Sequence, residues 1–461
     1  MADGLRRETL LYGLSTIVSG LVMLAFLPFM SEWLDPAEAG ESGVLRITAE
    51  VFAGIAVLGL PVGIVRLWSR DGVSKRAVVI RAASGTVAAA AILGAAAFLL
   101  SPWLRSVLSI STPSGLLHAC LLGTGAALVQ VALTFHRADG RAGSYFWVQA
   151  ARGLLSLALL PLLLLAGAGG VNSFLAARWV PAMLAAATAI LVALHFAGPS
   201  PGSAKGLLRY SLPLVPAGLA MLVLSSADMM MLRSMAPDLL ESGYYEWSSS
   251  ACMALTPLTI GFGMAWHRRV FGAAGQPGGL ARLGRQALAF IVVLEAAALL
   301  LALSSRELVE LVGGPDYSGA ARVLPILAGS AALYGVFIVA QTGPLLSGRT
   351  WQVSMATVIG AFGNIVFNYR LIPLYGASGA ALATLGTNLF MAASLFWTGR
   401  ASFPANAPLI ALVMAVPAAM GPVSTLSLPL RATIAVAWTA GSALLCRALL
   451  REDAREEGGD A

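Results

Sequence analysis

The chain has 461 residues, of which 58% are hydrophobic and only 11% are charged. Soluble domains carry about 25% charged residues, and a mean hydropathy of +0.81 leaves too few polar side chains to cover a surface in water, which excludes a water-soluble multidomain protein. The formal charge of +7 comes from basic residues in short segments between apolar runs, which indicates membrane topology rather than nucleic acid binding.

Runs of about 20 mostly apolar residues, the length needed to cross a bilayer, recur along the chain. They predict an all-α integral membrane protein with about 14 transmembrane helices. The first run follows Arg6 and Arg7 and shows no small-residue cleavage site, so it predicts an uncleaved helix. The thirteenth run is short and contains Pro408 and Pro417, which leaves open whether the last two helices both span. The predicted helices are 10–30, 44–65, 78–100, 115–135, 147–167, 173–196, 211–233, 243–266, 286–304, 321–346, 351–371, 376–397, 406–421 and 429–449.

The distribution of basic residues predicts the orientation of these helices. If the N-terminus is cytoplasmic, twenty Lys and Arg residues fall on the cytoplasmic side and eight on the outer side, leaving out Arg152 just inside the fifth helix. This bias follows the positive-inside rule and predicts a multi-pass protein of the inner (plasma) membrane with both termini cytoplasmic. The longest polar connections, 197–210 and 267–285, are both predicted cytoplasmic, and neither is long enough for an appended enzyme domain.

Two stretches about 200 residues apart share a pattern. SGLVMLAFLPFMSEWLDPAEAGESGVLRI begins at Ser19, and AGLAMLVLSSADMMMLRSMAPDLLESGYYEW begins at Ala217. Each contains an apolar helix, a turn with proline and acidic residues that ends in glycine, and a second apolar helix. Six predicted helices separate the copies, and because six is even, both copies begin on the same side of the membrane.

Parallel repeats of this kind predict two six-helix lobes around a central cavity. The predicted lobes are residues 1–200 and 201–400. Residues 401–461 are predicted to form an extra helix pair and a cytoplasmic tail.

A junction near the end of the second lobe resembles a known family. Asn364-Ile-Val-Phe-Asn368-Tyr-Arg-Leu-Ile-Pro373-Leu-Tyr-Gly376-Ala-Ser-Gly379-Ala-Ala-Leu-Ala-Thr384 is similar to the eleventh-to-twelfth helix junction of polysaccharide-biosynthesis flippases. These flippases belong to the multidrug/oligosaccharidyl-lipid/polysaccharide exporter superfamily, with the multidrug and toxin extrusion transporters and the lipid II flippases. The resemblance covers about residues 10–400. Three shorter segments that also resemble the family are Leu212-Pro213-Leu-Val-Pro216 leading to Asp228, Leu34-Asp35-Pro36-Ala-Glu38-Ala-Gly40, and Leu58-Gly59-Leu60-Pro61 to Arg66.

The resemblance implies a flippase that moves a polyprenyl-diphosphate-linked oligosaccharide from the cytoplasmic to the outer leaflet by alternating access, for extracellular polysaccharide assembly. Its partners would be the lipid-linked glycan and the bilayer, with glycan polymerase and glycosyltransferases as further candidates. No cofactor and no nucleic acid partner is predicted. The sequence has no nucleotide-binding loop, so the energy is expected to come from an ion gradient or from consumption of the product.

Charged residues inside the predicted helices are the candidate site residues, because a charge in the bilayer is costly unless it faces a cavity or a partner. A diphosphate headgroup requires cations, and arginine binds phosphate through two hydrogen bonds at once. Arg152 and Arg178, and after them Arg46, are therefore the predicted substrate-binding residues. Alternatively, each could extend to the membrane interface or neutralise a nearby acid.

The acidic candidates are Asp228, Glu50 and Glu295, as coupling residues or members of an ion pair between the lobes. Glu50 lies four residues after Arg46, so these two side chains could simply pair. Glu295 could also be a protonated and inert side chain deep in the membrane. No catalytic or metal site is predicted, since the four histidines lack ligand spacing and the three cysteines are isolated in apolar segments.

Two other functions remain open. A cation-coupled drug antiporter of the same superfamily would be expected to have an acid-lined cavity, which the mixed set of arginines and acids disfavours. A membrane-embedded glycan polymerase or glycosyltransferase would need catalytic carboxylates in large outer loops. The largest outer acidic loop, residues 31–43, has only about a dozen residues, so the sequence predicts a transporter rather than an enzyme.

Overall fold

The computed structural model describes residues 2–441 apart from 69–72, 168–169, 198–203, 205, 213–214, 274–277, 400–426, 428, 432, 435 and 439. These residues are almost entirely helical, and no strand occurs among them. The thirteenth predicted helix lies outside the described residues, as does the fourteenth apart from scattered positions between 429 and 441.

The helices, numbered in chain order, are α1 (Ala2–Trp33), α2 (Pro36–Ala56), α3 (Leu60–Trp68), α4 (Lys75–Leu99), α5 (Ser101–Val107), α6 (Gly115–Ala138), α7 (Ala142–Leu165), α8 (Val171–Ala197), α9 (Leu207–Ser211), α10 (Val215–Met235), α11 (Leu240–Cys252), α12 (Thr256–Ala273), α13 (Gly279–Leu303), α14 (Ser305–Leu308), α15 (Ala320–Ala340), α16 (Thr342–Leu346) and α17 (Thr350–Gly399). Among the described residues, seven helical segments are long and apolar enough to cross a membrane, or eight if α2 and α3 form one bent span. The helical membrane fold agrees with the sequence, while the count of 14 stays a prediction.

The predicted helix 44–65 is not continuous. α2 and α3 meet at an angle of 41°, and Leu58 and Gly59 between them have φ angles of +52° and +65°. Residues with positive φ cannot continue a right-handed helix. Pro61 is the second residue of α3. A backbone N–H at this position would have no partner within the helix, so proline, which has no N–H, is compatible with the start of a new helix.

The junction that carries the family resemblance is a sharp bend inside α17. Gly376 has φ +56° and ψ −131°, so two helices meet there, as the predicted pair 351–371 and 376–397 requires. A side chain at Gly376 would run into the Glu241 carboxylate, and one at Gly379 would run into the Leu371 carbonyl. Both glycines are therefore required by close packing.

The chain divides into two compact units, Met1–Ser234 and Met235–Ala461. In the first, α6 packs on α2 and α8, and α1 packs on α7. In the second, α15 packs on α11, α13 and α17. The predicted lobe boundary at residue 200 stays a prediction.

The glutamate of each sequence repeat connects helices within its own unit. In the first, the Glu41 carboxylate accepts hydrogen bonds from the Thr112 backbone N–H at 2.7 Å and from the Ser111 hydroxyl, and it faces Arg233 at 3.6 Å. In the second, Glu241 accepts a hydrogen bond from the Ala377 backbone N–H at 2.7 Å and pairs with Arg322. The Glu-Ser-Gly triplet of each copy thus supplies a carboxylate that holds two other helix ends.

Polar contacts between helix ends agree with the predicted sidedness. Asp139 pairs with Lys75 at 3.1 Å, and both lie at ends predicted to be cytoplasmic. Arg431 pairs with Glu307 at 2.7 Å, and both lie at ends predicted to be outside. Each contact therefore joins ends that the sequence places on one side of the membrane.

Candidate functional site

A cavity of about 230 Å³ in the first unit is lined by α1, α2, α6, α7 and α8. The three arginines predicted to bind substrate all line it, although they come from three different helices. Its charged and polar lining residues are Arg46, Glu50, Gln149, Arg152, Ser156 and Arg178. The first unit thus contains a predominantly cationic cavity within an apolar bundle.

Arg46 and Glu50 form an ion pair along α2. The Arg46 Nη1 atom lies 2.7 Å from Glu50 Oε1, the i, i+4 pair that the sequence allowed. The Glu50 side chain is 48% exposed, so the pair contributes little to stability. Its effect on the cavity is electrostatic, because Glu50 offsets the charge of Arg46 and is the one carboxylate among the described lining residues.

Arg178 and Arg152 are held differently. The Arg178 guanidinium carbon lies 5.2 Å from the centre of the Phe26 ring, a cation–π contact that orients the group toward α1. Arg152 is half-buried on α7, and its guanidinium makes no hydrogen bond or ion pair with the described residues. Of the three arginines, Arg152 is therefore the one with its hydrogen-bonding capacity available to a ligand.

A polar stripe on α7 leads to Arg152. Tyr145, Gln149, Arg152 and Ser156 are spaced i, i+4, i+7 and i+11, which puts them on one face of the helix. The Gln149 Oε1 atom is buried without a hydrogen-bond partner in the part of the chain that the structure describes. Gln149 and Ser156 were not among the predicted site residues, although their spacing from Arg152 is visible in the sequence.

A second cavity, of about 310 Å³, adjoins the first along this stripe. The two cavities share Ala126, Gln149 and Arg152. The second is also lined by Tyr145 and by Arg137, near the end of α6 that the sequence predicts to be cytoplasmic. Together the cavities form a polar path from that helix end to the cationic cavity.

Gly153 brings α1 close to the cationic cavity. A Cβ atom at this position would lie 2.8 Å from the Val22 side chain, so only glycine permits the observed approach of α1 to α7. Because Val22 and Gly153 both line the cavity, this approach forms part of its wall.

The three predicted acidic residues lie on three different helices. Only Glu50 lines the cationic cavity. Asp228 is buried on α10 in the first unit and lines neither cavity. Glu295 is fully buried on α13 in the second unit, and its two carboxylate oxygens make no hydrogen bond with the described residues. A coupling role for any of the three stays a prediction.

The part of the chain described by the structure holds no group of three histidine, cysteine, aspartate or glutamate residues that could bind a metal ion. Cys120 and Cys252 are free thiols, and Cys446 lies outside the described residues.

Comparison with known proteins finds no family model that matches the sequence and no curated protein that matches it. Solved structures do match over nearly the whole chain. The lipid II flippase MurJ in an inward closed conformation has a TM-score of 0.68 at 13% identity, covering 97% of this chain and 99% of that one.

Multidrug transporters match as well. An inward-facing multidrug resistance MATE family transporter of the MOP superfamily has a TM-score of 0.61 at 15% identity, covering 87% of this chain and 96% of that one. The MATE multidrug transporter DinF-BH in complex with R6G has a TM-score of 0.60 at 17% identity, covering 87% and 97%. These neighbours are transporters and flippases rather than enzymes, and at such identities the likeness establishes the fold alone. The chain is therefore a polytopic helical membrane protein with the fold of the flippases and transporters of the MOP superfamily.

Proposed function

We propose that this protein is a flippase that moves a polyprenyl-diphosphate-linked oligosaccharide from the cytoplasmic to the outer leaflet by alternating access. The observation that carries the proposal is the gathering of Arg46, Arg152 and Arg178 around one cavity of the first unit. The likeness to a lipid II flippase supports the same class of substrate.

The cavity has the chemistry that a diphosphate headgroup needs. Phosphates that leave water must keep charge-assisted hydrogen bonds, and guanidinium groups supply two parallel bonds each. Arg152 supplies this capacity, since it has no ion-pair partner among the described residues, and Arg178 adds a second guanidinium to the same lining, while Glu50 is engaged with Arg46. The second cavity, lined by Arg137 and Tyr145, extends the polar path toward the predicted cytoplasmic side, where the substrate is expected to enter.

A cation-coupled drug antiporter is the alternative with the same fold. A cavity lined by three guanidinium groups and one carboxylate disfavours cationic drugs, because like charges in a low-dielectric site repel each other strongly. The same cavity attracts a diphosphate. The sign of the cavity charge therefore favours the lipid-linked substrate.

Flipping can be measured in proteoliposomes that contain a fluorescent undecaprenyl-diphosphate-linked sugar, by the fraction of probe that a membrane-impermeant reductant bleaches over time. We expect Arg152→Gln and Arg178→Gln each to slow flipping about tenfold or more, because each removes charge-assisted hydrogen bonds to phosphate. Arg81→Gln is the matched control, since Arg81 is an exposed arginine on α4 that lines neither cavity.

Two results would overturn the proposal. One is flipping at the wild-type rate in both cavity variants at equal protein level. The other is efflux of a cationic dye such as rhodamine 6G by the wild type, with no movement of the lipid-linked probe, which would establish the antiporter instead.

A further inference from the structure

A groove separate from the cationic cavity runs along the outside of the first unit. It has a volume of about 650 Å³ and lies between α4 and α6, with α5 at one end. Val87, Ala91 and Gly94 line it from α4, and Leu117 and Leu121 line it from α6. The small side chains on α4 leave the space open, and the walls are almost wholly apolar.

The one charged lining residue of this groove is Arg105, on α5. Its Nε atom is buried and has no hydrogen-bond partner among the described residues. Its Nη2 atom donates one long hydrogen bond, of 3.4 Å, to the Ser111 carbonyl, and no acidic residue in the described ranges pairs with it. A half-buried guanidinium with an unused donor favours the binding of an anionic group at this end of the groove.

The dimensions of the groove match one leaflet of a bilayer. From Val87 to Phe98 along α4 is about 17 Å at 1.5 Å per residue, while half of a hydrocarbon core is about 15 Å. Next to Arg105, Trp103 is 61% exposed on α5, and exposed tryptophans concentrate at the membrane–water interface. Arg105 therefore lies at headgroup level, and the groove reaches toward the middle of the membrane.

We propose that this groove binds one anionic phospholipid, with its phosphate on Arg105 and an acyl chain between α4 and α6. In the predicted topology this is a lipid of the outer leaflet. The site goes beyond the proposed transport function and does not depend on it. The groove shares no lining residue with the cationic cavity. At Gly123, α6 packs so tightly on α2 that a Cβ atom would lie 2.7 Å from the Ala49 carbonyl.

The lipid is taken to be anionic rather than zwitterionic because of charge balance. A zwitterionic headgroup carries a cationic group beside its phosphate. That group would lie near Arg105, and no carboxylate of the described residues pairs with Arg105 to balance the two positive charges. An anionic headgroup leaves one net negative charge for the guanidinium. The proposed lipid also differs from the transported substrate, whose diphosphate is assigned to the cationic cavity.

Native mass spectrometry of the purified, delipidated protein tests the site. The protein would be titrated with phosphatidylglycerol and, separately, with phosphatidylcholine of the same chains. Arg105→Gln removes the phosphate ligand. Gly94→Leu fills the groove, and a Cβ at Gly94 meets no atom within 4 Å, so the fold is expected to tolerate it. We expect each variant to bind phosphatidylglycerol about tenfold more weakly, and Arg105→Gln to lose the preference over phosphatidylcholine.

The controls match the two changes in chemistry. Arg81→Gln removes an exposed arginine on α4 that does not line the groove. Gly386→Leu introduces leucine at a helical glycine that also has no atom within 4 Å of its Cβ position. Both controls should bind phosphatidylglycerol like the wild type. Should Gly94→Leu fail to fold, Ala97→Leu fills the same groove.

Three outcomes would overturn the proposal: equal binding of both phospholipids by the wild type, wild-type binding by Arg105→Gln and the groove-filling variant, or displacement of phosphatidylglycerol from the groove by undecaprenyl phosphate at lower concentration. Flipping by the wild type is measured separately, so failure of this site leaves the proposed function unaffected. Conversely, a protein that does not flip the probe can still bind the phospholipid.

Discussion

The three cavity arginines differ in what holds them, and the difference decides how each should respond to substitution. Arg46 is paired with Glu50 on its own helix, Arg178 lies over the Phe26 ring, and Arg152 has no ion-pair partner among the described residues. A lysine can replace a point charge in an ion pair. It cannot replace a planar group that binds phosphate through two bonds.

We therefore expect Arg46→Lys to keep flipping within about threefold of the wild type and Arg152→Lys to lower it about tenfold. Initial flipping rates in the proteoliposome assay, at equal protein content, test this. The reverse order of the two variants would show that Arg46, rather than Arg152, is the principal phosphate ligand.

Gly376 allows a second test at a single residue. Its backbone conformation, φ +56° and ψ −131°, is one that residues with a side chain rarely adopt, and the space a Cβ needs is taken by Glu241. Strain of this kind costs about 1–3 kcal/mol. We expect Gly376→Ala to lower the midpoint of thermal unfolding of the purified protein by several degrees.

Gly386→Ala is the control for that change. Gly386 lies on the same helix α17, and nothing lies within 4 Å of its Cβ position. Alanine favours a helix over glycine by about 1 kcal/mol, so this variant should unfold at the same or a higher temperature. An unchanged midpoint in Gly376→Ala would mean that the positive φ and the close contact with Glu241 do not require glycine at this position.

Glu295 tests the coupling assignment. The carboxyl is fully buried and makes no hydrogen bond with the described residues, so Glu295→Gln breaks no described contact, and we expect unchanged thermal stability. If Glu295 couples transport to protons, the variant should flip at the same rate with and without an imposed pH gradient, whereas the wild type should respond to it. A wild-type response in the variant would assign Glu295 as inert.

Much of the candidate site could be located from sequence because charges inside apolar runs are conspicuous. Arg46, Arg152 and Arg178 are costly in a membrane and had to face a cavity or a partner. The walls of the cavity could not be located in this way, because they come from five helices and the sequence of one helix does not determine how it packs against the others. Gln149 was missed because an uncharged residue in an apolar helix draws no attention without its spacing to Arg152.

At the level of helices, apolar runs predicted the existence and type of most elements, since a span must satisfy its backbone internally. The break between α2 and α3 was not predicted, because the run from 44 to 65 is mostly apolar on both sides of it and the bend depends on the positive φ of Leu58. The repeat was visible as a pattern. That its two glutamates, Glu41 and Glu241, each accept a hydrogen bond from a backbone N–H near the start of another helix could be known only from coordinates.

The turn between α6 and α7 is held by one carboxylate. Asp139 accepts hydrogen bonds from Arg141 at 2.7 Å, Lys75 at 3.1 Å and the Trp68 indole at 3.2 Å. Burial alone would raise the pKa of Asp139, but these hydrogen bonds outweigh it and hold the pKa below its ordinary value of 3.8. The ionised carboxylate thus ties α3, α4 and the α6–α7 turn together.

The sign of the pH effect follows from this lowered pKa. A carboxyl whose pKa is lower in the folded state stabilises the protein above its unfolded pKa, and the contribution is lost as the pH falls through the folded pKa. We expect Asp139→Asn to lower the thermal midpoint at neutral pH, and its difference from the wild type to shrink as the pH falls below 3.8. Differential scanning fluorimetry of both proteins over a range of pH measures this difference in thermal midpoint.

Asp316→Asn, at an exposed aspartate in the second unit, is the control and should leave the midpoint at neutral pH unchanged. A constant difference between Asp139→Asn and the wild type at every pH would contradict the assignment to the ionised carboxylate.

For the molecule as a whole, the distribution of basic residues predicts which helix ends share a side. Single cysteines at exposed positions can report this in a background whose three native cysteines are replaced. We expect Arg209→Cys and Ala281→Cys to react with a membrane-impermeant maleimide only after the membrane is permeabilised, and Ser318→Cys to react in intact cells. Opposite labelling of Arg209→Cys and Ala281→Cys would overturn the predicted topology and, with it, the direction of transport.

The cationic cavity is built from a single early portion of the chain. Its lining residues run from Val22 to Ala182, and none of them comes from the second unit. Because a chain leaves the ribosome from its N-terminus and domains tend to fold in that order, every wall of the cavity is available while more than half of the protein is still untranslated. We therefore expect any nascent chain or truncated product that ends after α8 to keep the binding of the charged headgroup. Directional movement of the lipid-linked substrate requires the remaining chain.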